Sequence, residues 1–479
     1  MNYSMIRYTL GWLVLFESIF FAVPMITAAV YLESAFFAFM ICAAICLGVG
    51  LLLIMRKPKD TTIYAKEGFV IVSLSWIALS IFGSLPFMFT GVTNYSFIDA
   101  LFETVSGFST TGASIFKEVE WLPKSILMWR SFTHWVGGMG VLVFIMAFLP
   151  LGGGQNLHIM RAESTGAEVS KIVPKMKHMA MLLYLIYFAF TAAMFITLLI
   201  SGMNVFDSLN TAFATAGTGG FGFRNDSFAS FGSTQQIIVT VFMLLFSVNF
   251  NSYYLLLKLK FKDAINSEVR AFFIVVVVAI TIITLNVYTR FDSVGEAIKH
   301  VSFSVASLIS TTGFSTVDFS LWPSLATTVL VLIMFVGGCA GSTAGGMKVS
   351  RFIILIKGLF RELGAIVHPK QVKKITIDSR PLDREVVRSV NAYVVCYVLM
   401  FATSLILISF DNKDLVTNFT AIAATINNIG PGLSEVGPAS NFSSFSGFSK
   451  LVLSFNMLAG RLELFPMLIL FTPSTWKKN

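Results

Sequence analysis

Charged residues are scarce in this sequence: only 12% of its 479 residues are Asp, Glu, Lys or Arg, whereas 56% are hydrophobic. Soluble domains average about 25% charged residues, so the composition excludes an ordinary water-soluble protein. Apolar stretches of roughly 20 residues recur along the chain, and this length is enough for a helix to cross a bilayer. The sequence therefore predicts an integral membrane protein.

Cysteine is also rare, and the reactive side chains form no recognisable catalytic group. The four cysteines have neither the spacing of a zinc site nor that of a disulfide framework. The five histidines show no pattern that predicts a metal centre or a general base. We therefore expect neither an enzyme nor a bound cofactor.

Basic residues outnumber acidic ones by 34 to 25, and their placement indicates orientation in a membrane rather than nucleic-acid binding. If both termini are cytoplasmic, Lys and Arg concentrate in alternate connections, around residues 56–66, 161–177, 258–270 and 348–388. This asymmetry follows the positive-inside rule. It predicts a multi-pass protein with both termini in the cytoplasm, and we interpret the first apolar stretch as a span rather than a signal peptide.

Four short uncharged signatures, each ending in glycine, recur between apolar stretches. They are Ser109-Thr110-Thr111-Gly112, Gly217-Thr218-Gly219-Gly220, Ser310-Thr311-Thr312-Gly313 and Asn427-Asn428-Ile429-Gly430. Their final glycines follow one another at intervals of roughly 90 to 120 residues, and such recurrence indicates a repeat architecture.

Each signature belongs to a unit made of a span, a short helix and a second span. The short helices are predicted at about 97–109, 206–216, 295–310 and 414–426. The flanking spans are predicted at 68–90 and 122–149, 179–201 and 234–257, 271–288 and 322–347, and 388–410 and 447–472; two further spans, at 9–32 and 36–55, come first. Non-helical backbone inside a membrane is tolerated only where protein buries it or where it lines an aqueous cavity. We therefore expect four re-entrant loops and ten full crossings.

These units divide the chain into six regions. We expect a two-span N-terminal region (1–62), unit one (63–157), unit two (158–262), unit three with an intramembrane glycine-rich loop (263–350), a basic cytoplasmic connection (351–387) and unit four (388–479). Asp99 and Asp207 share one offset from the final glycine, and we predict that they cap their short helices. His300 and Thr417 stand at that offset in the other units, so uniform capping is not expected.

The four signatures have the chemistry of a site for a monovalent cation. Backbone carbonyls supply uncharged oxygen ligands, and glycine permits the backbone angles that aim successive carbonyls inward. None of the signatures contains a carboxylate, which disfavours a divalent-cation site. The predicted ligands are Thr110, Thr111, Gly112, Thr218, Gly219, Gly220, Thr311, Thr312, Gly313, Asn428, Ile429 and Gly430. Four unrelated helix caps are the alternative interpretation.

The register of the second signature is open. Aligning Phe221 with Phe314 makes Gly220 the counterpart of Gly313, whereas a shift of one residue would select Gly219. The fourth signature also departs from the Thr-Thr-Gly pattern. A pore built from these signatures would therefore be only approximately symmetric.

A glycine-rich run below the third signature is one candidate for a gate. It extends from Gly337 to Lys348 and reads G-G-C-A-G-S-T-A-G-G-M-K; its glycines are Gly337, Gly338, Gly341, Gly345 and Gly346. So much glycine disfavours continuous helix, so we predict an obstructing intramembrane loop, with close helix packing as the alternative. Met347 stands where a phosphate-binding loop requires lysine, so we do not expect nucleotide binding there.

Arg461, in the last apolar span, is the second candidate for a gate. A charge in the hydrocarbon core costs about 2.5–3.5 kcal/mol on insertion scales, so the guanidinium should face the protein interior. We expect it to point into the conduit near the glycine-rich run. A purely structural tie to Glu463 or to backbone carbonyls is the alternative.

The chain resembles the Trk/Ktr/HKT superfamily of cation transporters, and within it the TrkH branch, over essentially its whole length. The resemblance rests on the four signatures, the glycine-rich run, Asn427 to Gly432 (N-N-I-G-P-G) and Gly460 to Glu463 (G-R-L-E). It implies an all-α integral membrane fold in which four M1–P–M2 (span–pore loop–span) repeats surround a pseudo-fourfold pore. The two extra N-terminal spans favour the TrkH branch over the shorter Ktr subunits.

The same resemblance implies a function and partners. Glycine in all four filter positions goes with potassium preference in this family, and here these positions are Gly112, Gly220, Gly313 and Gly430. The resemblance therefore implies potassium uptake, with the ion as substrate, through a gated channel-like pore in the bacterial cytoplasmic (inner) membrane. It also implies a homodimer and a cytoplasmic nucleotide-binding regulatory subunit of the RCK, TrkA-like type. An alternating-access transporter coupled to sodium or protons is the alternative, because broken helices suit that class too.

Overall fold

The computed structural model describes residues 1–60, 63–140, 176–369, 374–378 and 380–476, and these ranges are predominantly helical. The longer helices, in chain order, are Tyr3–Phe20, Ala22–Val30, Ala35–Ile54, Ala65–Gly83, Phe97–Phe108, Lys124–Gly138, Met176–Ile200, Val205–Ala216, Ser233–Ser247, Phe250–Leu257, Ser267–Val287, Val294–Ile309, Ser324–Val336, Val349–Val367, Arg384–Ile408, Leu415–Ile426 and Gly447–Arg461. Shorter helices are Leu85–Phe89, Phe261–Ala264, Phe465–Ile469 and Pro473–Trp476. Two strands, Thr376–Ile377 and Arg380–Pro381, form an antiparallel pair in the basic connection.

All four predicted short helices are present, within one residue of the expected bounds. We call them signature helices one to four: Phe97–Phe108, Val205–Ala216, Val294–Ile309 and Leu415–Ile426. Some of their buried threonine side chains are satisfied by bonding to the preceding turn of the same helix. Thr104 donates to the carbonyl of Ala100 at 2.7 Å, and Thr425 donates to that of Ala421 at 2.8 Å.

The caps of the signature helices differ from the prediction. The residues whose side chains accept a backbone N–H from three positions further on are Ser96, Asn204, Ser293 and Asp414. Asp99 and Asp207 were therefore wrongly predicted as caps; they lie in the first turn, where a carboxylate still favours the positive end of the helix. Capping is in fact uniform. The true cap lies further from the final glycine in unit three than in the other units, because signature helix three has 16 residues and the others have 12.

Hydrogen bonds to Asp414, the cap of signature helix four, stabilise its ionised carboxylate form. The hydroxyl and the backbone N–H of Thr417 both donate to Asp414, and the Ser434 hydroxyl donates to it at 3.1 Å. These bonds, the one from the Thr417 hydroxyl first, keep the pKa of Asp414 below its usual value. The charged form is therefore maintained at the start of signature helix four, where it complements the helix dipole.

The second helix of every unit ends early, at Gly138, Ser247, Val336 and Arg461. In unit two the chain turns by 92° between Ser233–Ser247 and Phe250–Leu257. The continuous spans predicted over 234–257 and 447–472 were therefore wrong. In unit one, the predicted end of the span at 149 and the unit boundary at 157 lie outside the described residues.

Six helices of the described ranges are long and apolar enough to cross a membrane, or seven if the bent pair of unit two counts as one span. They include the first helices of all four units, whereas the interrupted second helices of units one, three and four are too short to qualify. The described ranges thus account for six or seven of the ten predicted full crossings, and the remaining crossings stay a prediction.

The two chain ends lie close together on one side of the molecule. The Tyr3 hydroxyl donates to the carbonyl of Trp476 at 3.1 Å, and Lys66 Nζ donates to the carbonyl of Ser474 at 3.2 Å. The two N-terminal spans pack on unit one, where the Glu33 carboxylate accepts the backbone N–H groups of Lys124 (2.6 Å) and Ser125 (3.0 Å). Glu33 thereby caps the second helix of that unit.

Candidate functional site

The four signatures adopt one backbone conformation. Their second residues, Thr110, Thr218, Thr311 and Asn428, have φ between 54° and 58°, and their final glycines, Gly112, Gly220, Gly313 and Gly430, have φ between 78° and 96°. The residue between them is not among those with positive φ. The sign of φ thus alternates along the three residues, which allows successive carbonyls to point to one side, whereas those of an extended strand point to opposite sides.

This conformation establishes the register of the second signature. Thr218 and Gly220 occupy the two left-handed positions, so Gly220 and not Gly219 is the structural counterpart of Gly112, Gly313 and Gly430. Threonine in the left-handed region is unusual, because a β-branched side chain clashes with the backbone there. Such strain is retained where the surrounding structure enforces it, and it is concentrated at functional sites.

Each signature begins as the C-terminal cap of its signature helix. In all four, the backbone N–H of the third residue bonds to the carbonyl five residues earlier, at 2.8–2.9 Å; the donors are Thr111, Gly219, Thr312 and Ile429. A bond of this kind across a left-handed residue is the Schellman motif. The negative ends of all four helix dipoles therefore lie against the signatures.

The final glycines close the four signatures into a ring. A Cβ atom added to Gly112 would lie within 3.0 Å of the Gly219 carbonyl oxygen, a separation that real Cβ atoms essentially never show. A Cβ atom added to Gly220, Gly313 or Gly430 would collide in the same way with a carbonyl oxygen, that of Thr312, Ile429 or Thr111 respectively. The contacts run in chain order from each signature to the next and return from the fourth to the first. Any side chain at these glycines would displace a carbonyl of the neighbouring signature.

A cavity of about 120 Å³ lies where the signatures lead into the connections that follow them, and all four final glycines line it. Hydrogen bonds between these connections hold its wall. The backbone N–H of Phe228 donates to the carbonyl of Ser315, and that of Phe442 donates to the carbonyl of Ser114, each at 2.8 Å. The backbone N–H of Val119 donates to Asn225 Oδ1 at 2.7 Å. The cavity thus has contributions from every unit.

A buried ion pair that the sequence reasoning missed lies behind the first two signatures. Arg130 Nε is 2.7 Å from Glu103 Oε1, and both side chains are nearly or wholly buried. The guanidinium also donates to the carbonyl of Gly222 at 2.9 Å and lies 4.1 Å from the centre of the Phe221 ring. Glu103 in turn accepts the backbone N–H of Ile115 at 2.9 Å. Charged residues inside apolar helices are the signal that could have identified this pair.

The glycine-rich run is not helical. Between Val336 and Val349 the chain forms a closed loop, and its two ends meet where Gly337 approaches Gly346. Glu268, at the start of the first helix of unit three, ties both ends by accepting the backbone N–H of Ala340 at 2.7 Å and that of Ser350 at 3.1 Å. The predicted interruption of the span is therefore confirmed, and simple packing of glycine-rich helices does not describe it.

The loop touches the signatures of units three and four directly. Gly345 N–H donates to Thr311 Oγ1 at 2.6 Å, and Gly346 N–H donates to the Asn427 carbonyl at 3.0 Å. It also fills the bend of unit two, where the Thr343 hydroxyl donates to the carbonyl of Phe246 at 3.1 Å and the backbone N–H of Cys339 donates to that of Ser247 at 2.9 Å. The loop therefore lies beneath the ring of signatures.

Arg461 joins this loop to unit one. Its Nη1 donates to the Thr343 carbonyl at 2.8 Å, and its Nη2 contacts the carbonyls of Gly137 and Gly138 at 2.5 Å. The side chain is buried, and these ties to carbonyls agree with the structural alternative as well as with proximity to the loop. Glu463 forms an ion pair with Arg351, at the start of the helix that follows the loop.

Four signatures on short helices, closed into a ring within a bundle of apolar helices, are typical of a multi-pass membrane transport protein rather than an enzyme. Within the described residues, no cluster of His, Cys, Asp and Glu could hold a metal ion. The family model described as "TrkH: Cation transport protein" matches residues 33–478, and the chain belongs to this family.

Individual relatives agree with this assignment over their full lengths. The chain is 36% identical to the Trk system potassium uptake protein TrkH of Escherichia coli K12 and 32% identical to that of Halomonas elongata, with 100% of both chains covered in each case. The crystal structure of the potassium transporter TrkH from Vibrio parahaemolyticus superposes with a TM-score of 0.90 at 32% identity, again over 100% of both chains. These matches confirm the predicted family and the predicted all-α membrane fold.

The buried ion pair predicts a large stability effect. Glu103→Ala leaves the Arg130 guanidinium without its counter-charge, and breaking a buried pair on one side costs about 3–5 kcal/mol. We expect a clearly lowered midpoint in thermal unfolding of the detergent-purified protein, followed by tryptophan fluorescence.

Two matched variants accompany this measurement. Combining Glu103→Ala with Arg130→Met removes both charges and should recover part of the loss. Glu435→Ala breaks an ion pair with Lys413 in which Glu435 is exposed, and its cost should stay below about 1 kcal/mol. Equal unfolding midpoints for Glu103→Ala and Glu435→Ala would show that the buried pair of Glu103 and Arg130 is no more important for stability than an exposed one.

Proposed function

We propose that this protein is the pore-forming subunit of a potassium uptake system and that the ring of signatures is its selectivity filter. The observation that carries the proposal is the cyclic contact of each final glycine with the next signature's carbonyl, from Gly112 round to Gly430. Four loops arranged in this way enclose one axis. A single polypeptide with four span–re-entrant loop–span repeats, divided as expected from the sequence, would thus form one approximately fourfold conduit.

Uncharged oxygens would coordinate the ion in this filter. Carbonyls of consecutive residues that face one side can replace the hydration shell of a potassium ion. The Thr110 hydroxyl oxygen is buried and has no hydrogen-bond partner within the described ranges, so it is available as a further ligand. The helix dipoles that end at the signatures add a favourable potential for a cation without a fixed negative charge.

The glycine-rich loop and Arg461 would form the gate. The loop contacts signatures three and four, the bend of unit two and, through Arg461, the end of the second helix of unit one. A segment with contacts to all four units crosses the path that an ion would take below the filter. The arginine adds a fixed positive charge to this barrier.

Orientation and partners complete the proposal. The alternation of basic residues favours cytoplasmic termini in the bacterial inner membrane, and the contact between Tyr3 and Trp476 supports one common side for both ends. Relatives are named as components of a Trk system. We therefore include a homodimer and a cytoplasmic nucleotide-binding subunit of the RCK, TrkA-like type in the proposal.

Complementation and flux measurements test the function. Expression should restore growth at low potassium to a bacterial strain that lacks its own uptake systems, with competition by rubidium exceeding competition by sodium. In liposomes, rubidium flux should follow its own electrochemical gradient without any sodium or proton gradient. Flux that requires one of those gradients would instead support the alternating-access class.

The ring predicts the effect of a side chain at its first glycine. Gly112→Ser places a Cβ atom against the Gly219 carbonyl and requires a serine at a φ of 81°. Such strain costs of the order of 1–3 kcal/mol, so we expect about a tenfold loss of potassium over sodium discrimination in flux assays. Gly364→Ser is the matched control, because an added Cβ there has no atom within 4 Å. Unchanged discrimination in Gly112→Ser would refute the filter assignment.

The gate predicts a gain of flux. Arg461→Ala removes a fixed positive charge and three contacts to the loop and to unit one, so basal flux without any regulatory subunit should rise about tenfold. Arg461→Lys keeps the charge, so its basal flux should stay closer to that of the parent protein. At equal expression in the same liposomes, a flux of Arg461→Ala no higher than that of the parent would rule out the gating role.

A further inference from the structure

The second signature lacks a feature that stabilises the first and the third. In the first, the hydroxyls of Ser109 and Thr111 are hydrogen-bonded at 2.8 Å, and in the third those of Ser310 and Thr312 are bonded at 2.7 Å. These pairs link the first and third residues of their signatures. The second signature has Gly217 and Gly219 at the same two positions and therefore cannot form such a pair.

The side chain of His134 occupies the space that these glycines leave. It comes from the second helix of unit one and is fully buried. A Cβ atom added to Gly219 would overlap the imidazole ring, and one added to Gly217 would meet the backbone carbonyl of His134. The departure of this signature from the Ser-Thr-Thr-Gly pattern thus has a steric cause in another unit.

Both ring nitrogens of His134 have a defined partner. The backbone N–H of Phe221 donates to Nε2 at 3.2 Å, so Nε2 carries the lone pair. Nδ1 then carries the hydrogen and donates to the Gly107 carbonyl, 2.8 Å away at the end of signature helix one. The ring also lies against the Phe221 ring, with 4.3 Å between their centres. One neutral side chain therefore connects signature helix one to the second signature.

The bond to Phe221 fixes the carbonyl of Gly220. These two groups belong to one peptide unit, and no described peptide bond is cis. In a trans peptide the N–H and the C=O point in opposite directions. With the N–H held toward His134, behind the signature, the Gly220 carbonyl points away from His134. A glycine on one side of this unit would otherwise allow it to rotate easily.

We propose that His134 is the positioning residue of the second signature and determines its contribution to ion selectivity. The proposal rests on the proposed filter function. His134 touches no ion; it takes the place of the missing hydroxyl pair and, through Phe221, holds the Gly220 carbonyl in its orientation.

Two conservative variants distinguish this role from space filling. In His134→Gln, the amide oxygen reaches the position of Nε2 and can still accept the Phe221 N–H. In His134→Asn, the shorter amide reaches only the position of Nδ1 and can bond only to Gly107. One buried hydrogen bond is worth about 1 kcal/mol, so we expect a five- to tenfold loss of potassium over sodium discrimination in Asn, and near-parent discrimination in Gln. If His134→Gln lost as much discrimination as His134→Asn, the proposal would be overturned.

A reciprocal exchange provides an independent test. Gly219→Thr alone should abolish selective flux, because the new Cβ collides with the imidazole. Combined with His134→Ala, the threonine has room, so flux should return; discrimination should stay low, because Gly217 offers no hydroxyl to pair with the threonine and the Phe221 N–H has lost its acceptor. A double variant with the discrimination of the parent, or with no more flux than Gly219→Thr alone, would also count against the proposal.

Gly112→Ser, measured in the same liposomes, separates the two levels of inference. If it lowers discrimination while His134→Asn does not, the role of His134 is wrong and the filter stands. If neither variant changes discrimination, the filter assignment fails as well. Thermal unfolding midpoints of the His134 variants should stay near that of the parent, so that altered selectivity reports on the signature and not on the fold.

Discussion

The architecture depends on the absence of four Cβ atoms. Each signature can approach the next only because glycine stands where the neighbouring carbonyl oxygen lies, and each of these glycines also has a left-handed φ. Steric space and backbone conformation thus impose the same residue independently. A side chain at one position would push two signatures apart and open the ring. The surrounding helices, caps and connections hold four short segments at this separation.

Similar backbone conformations are stabilised by different side chains in the four units. Hydroxyl pairs stabilise the first and third signatures, and His134 stabilises the second. In the fourth, Asn428 Nδ2 donates to the Thr111 hydroxyl at 3.0 Å and to the Met457 carbonyl at 2.8 Å. The four signatures stand at separate positions of one chain, so each can have different supporting side chains. The backbone geometry is the common constraint, and the means of holding it are local.

Below the ring, the early end of every second helix leaves room for polar structure inside the helix bundle. Unwound backbone there is tolerated because it is buried in protein and its polar groups are bonded. The glycine-rich loop occupies this room, and Glu268, Arg351, Arg461 and Glu463 bond to its ends, its carbonyls or one another. These contacts tie the loop to the first helix of unit three and to the end of the second helix of unit four.

Local composition and period were enough to predict the membrane class, the four signatures, the bounds of the signature helices within one residue and the interruption at Gly337. The cap at Ser96 was missed because an acidic residue three positions later was taken for the cap, and the cap at Ser293 was missed because one helix length was assumed for all units. The register of Gly220, the role of His134, the pairing of Glu103 with Arg130 and the breaks after Ser247 and Arg461 were decided only by the tertiary structure. Each depends on groups far apart in the chain that come together when the ring closes, and no local pattern records such distances.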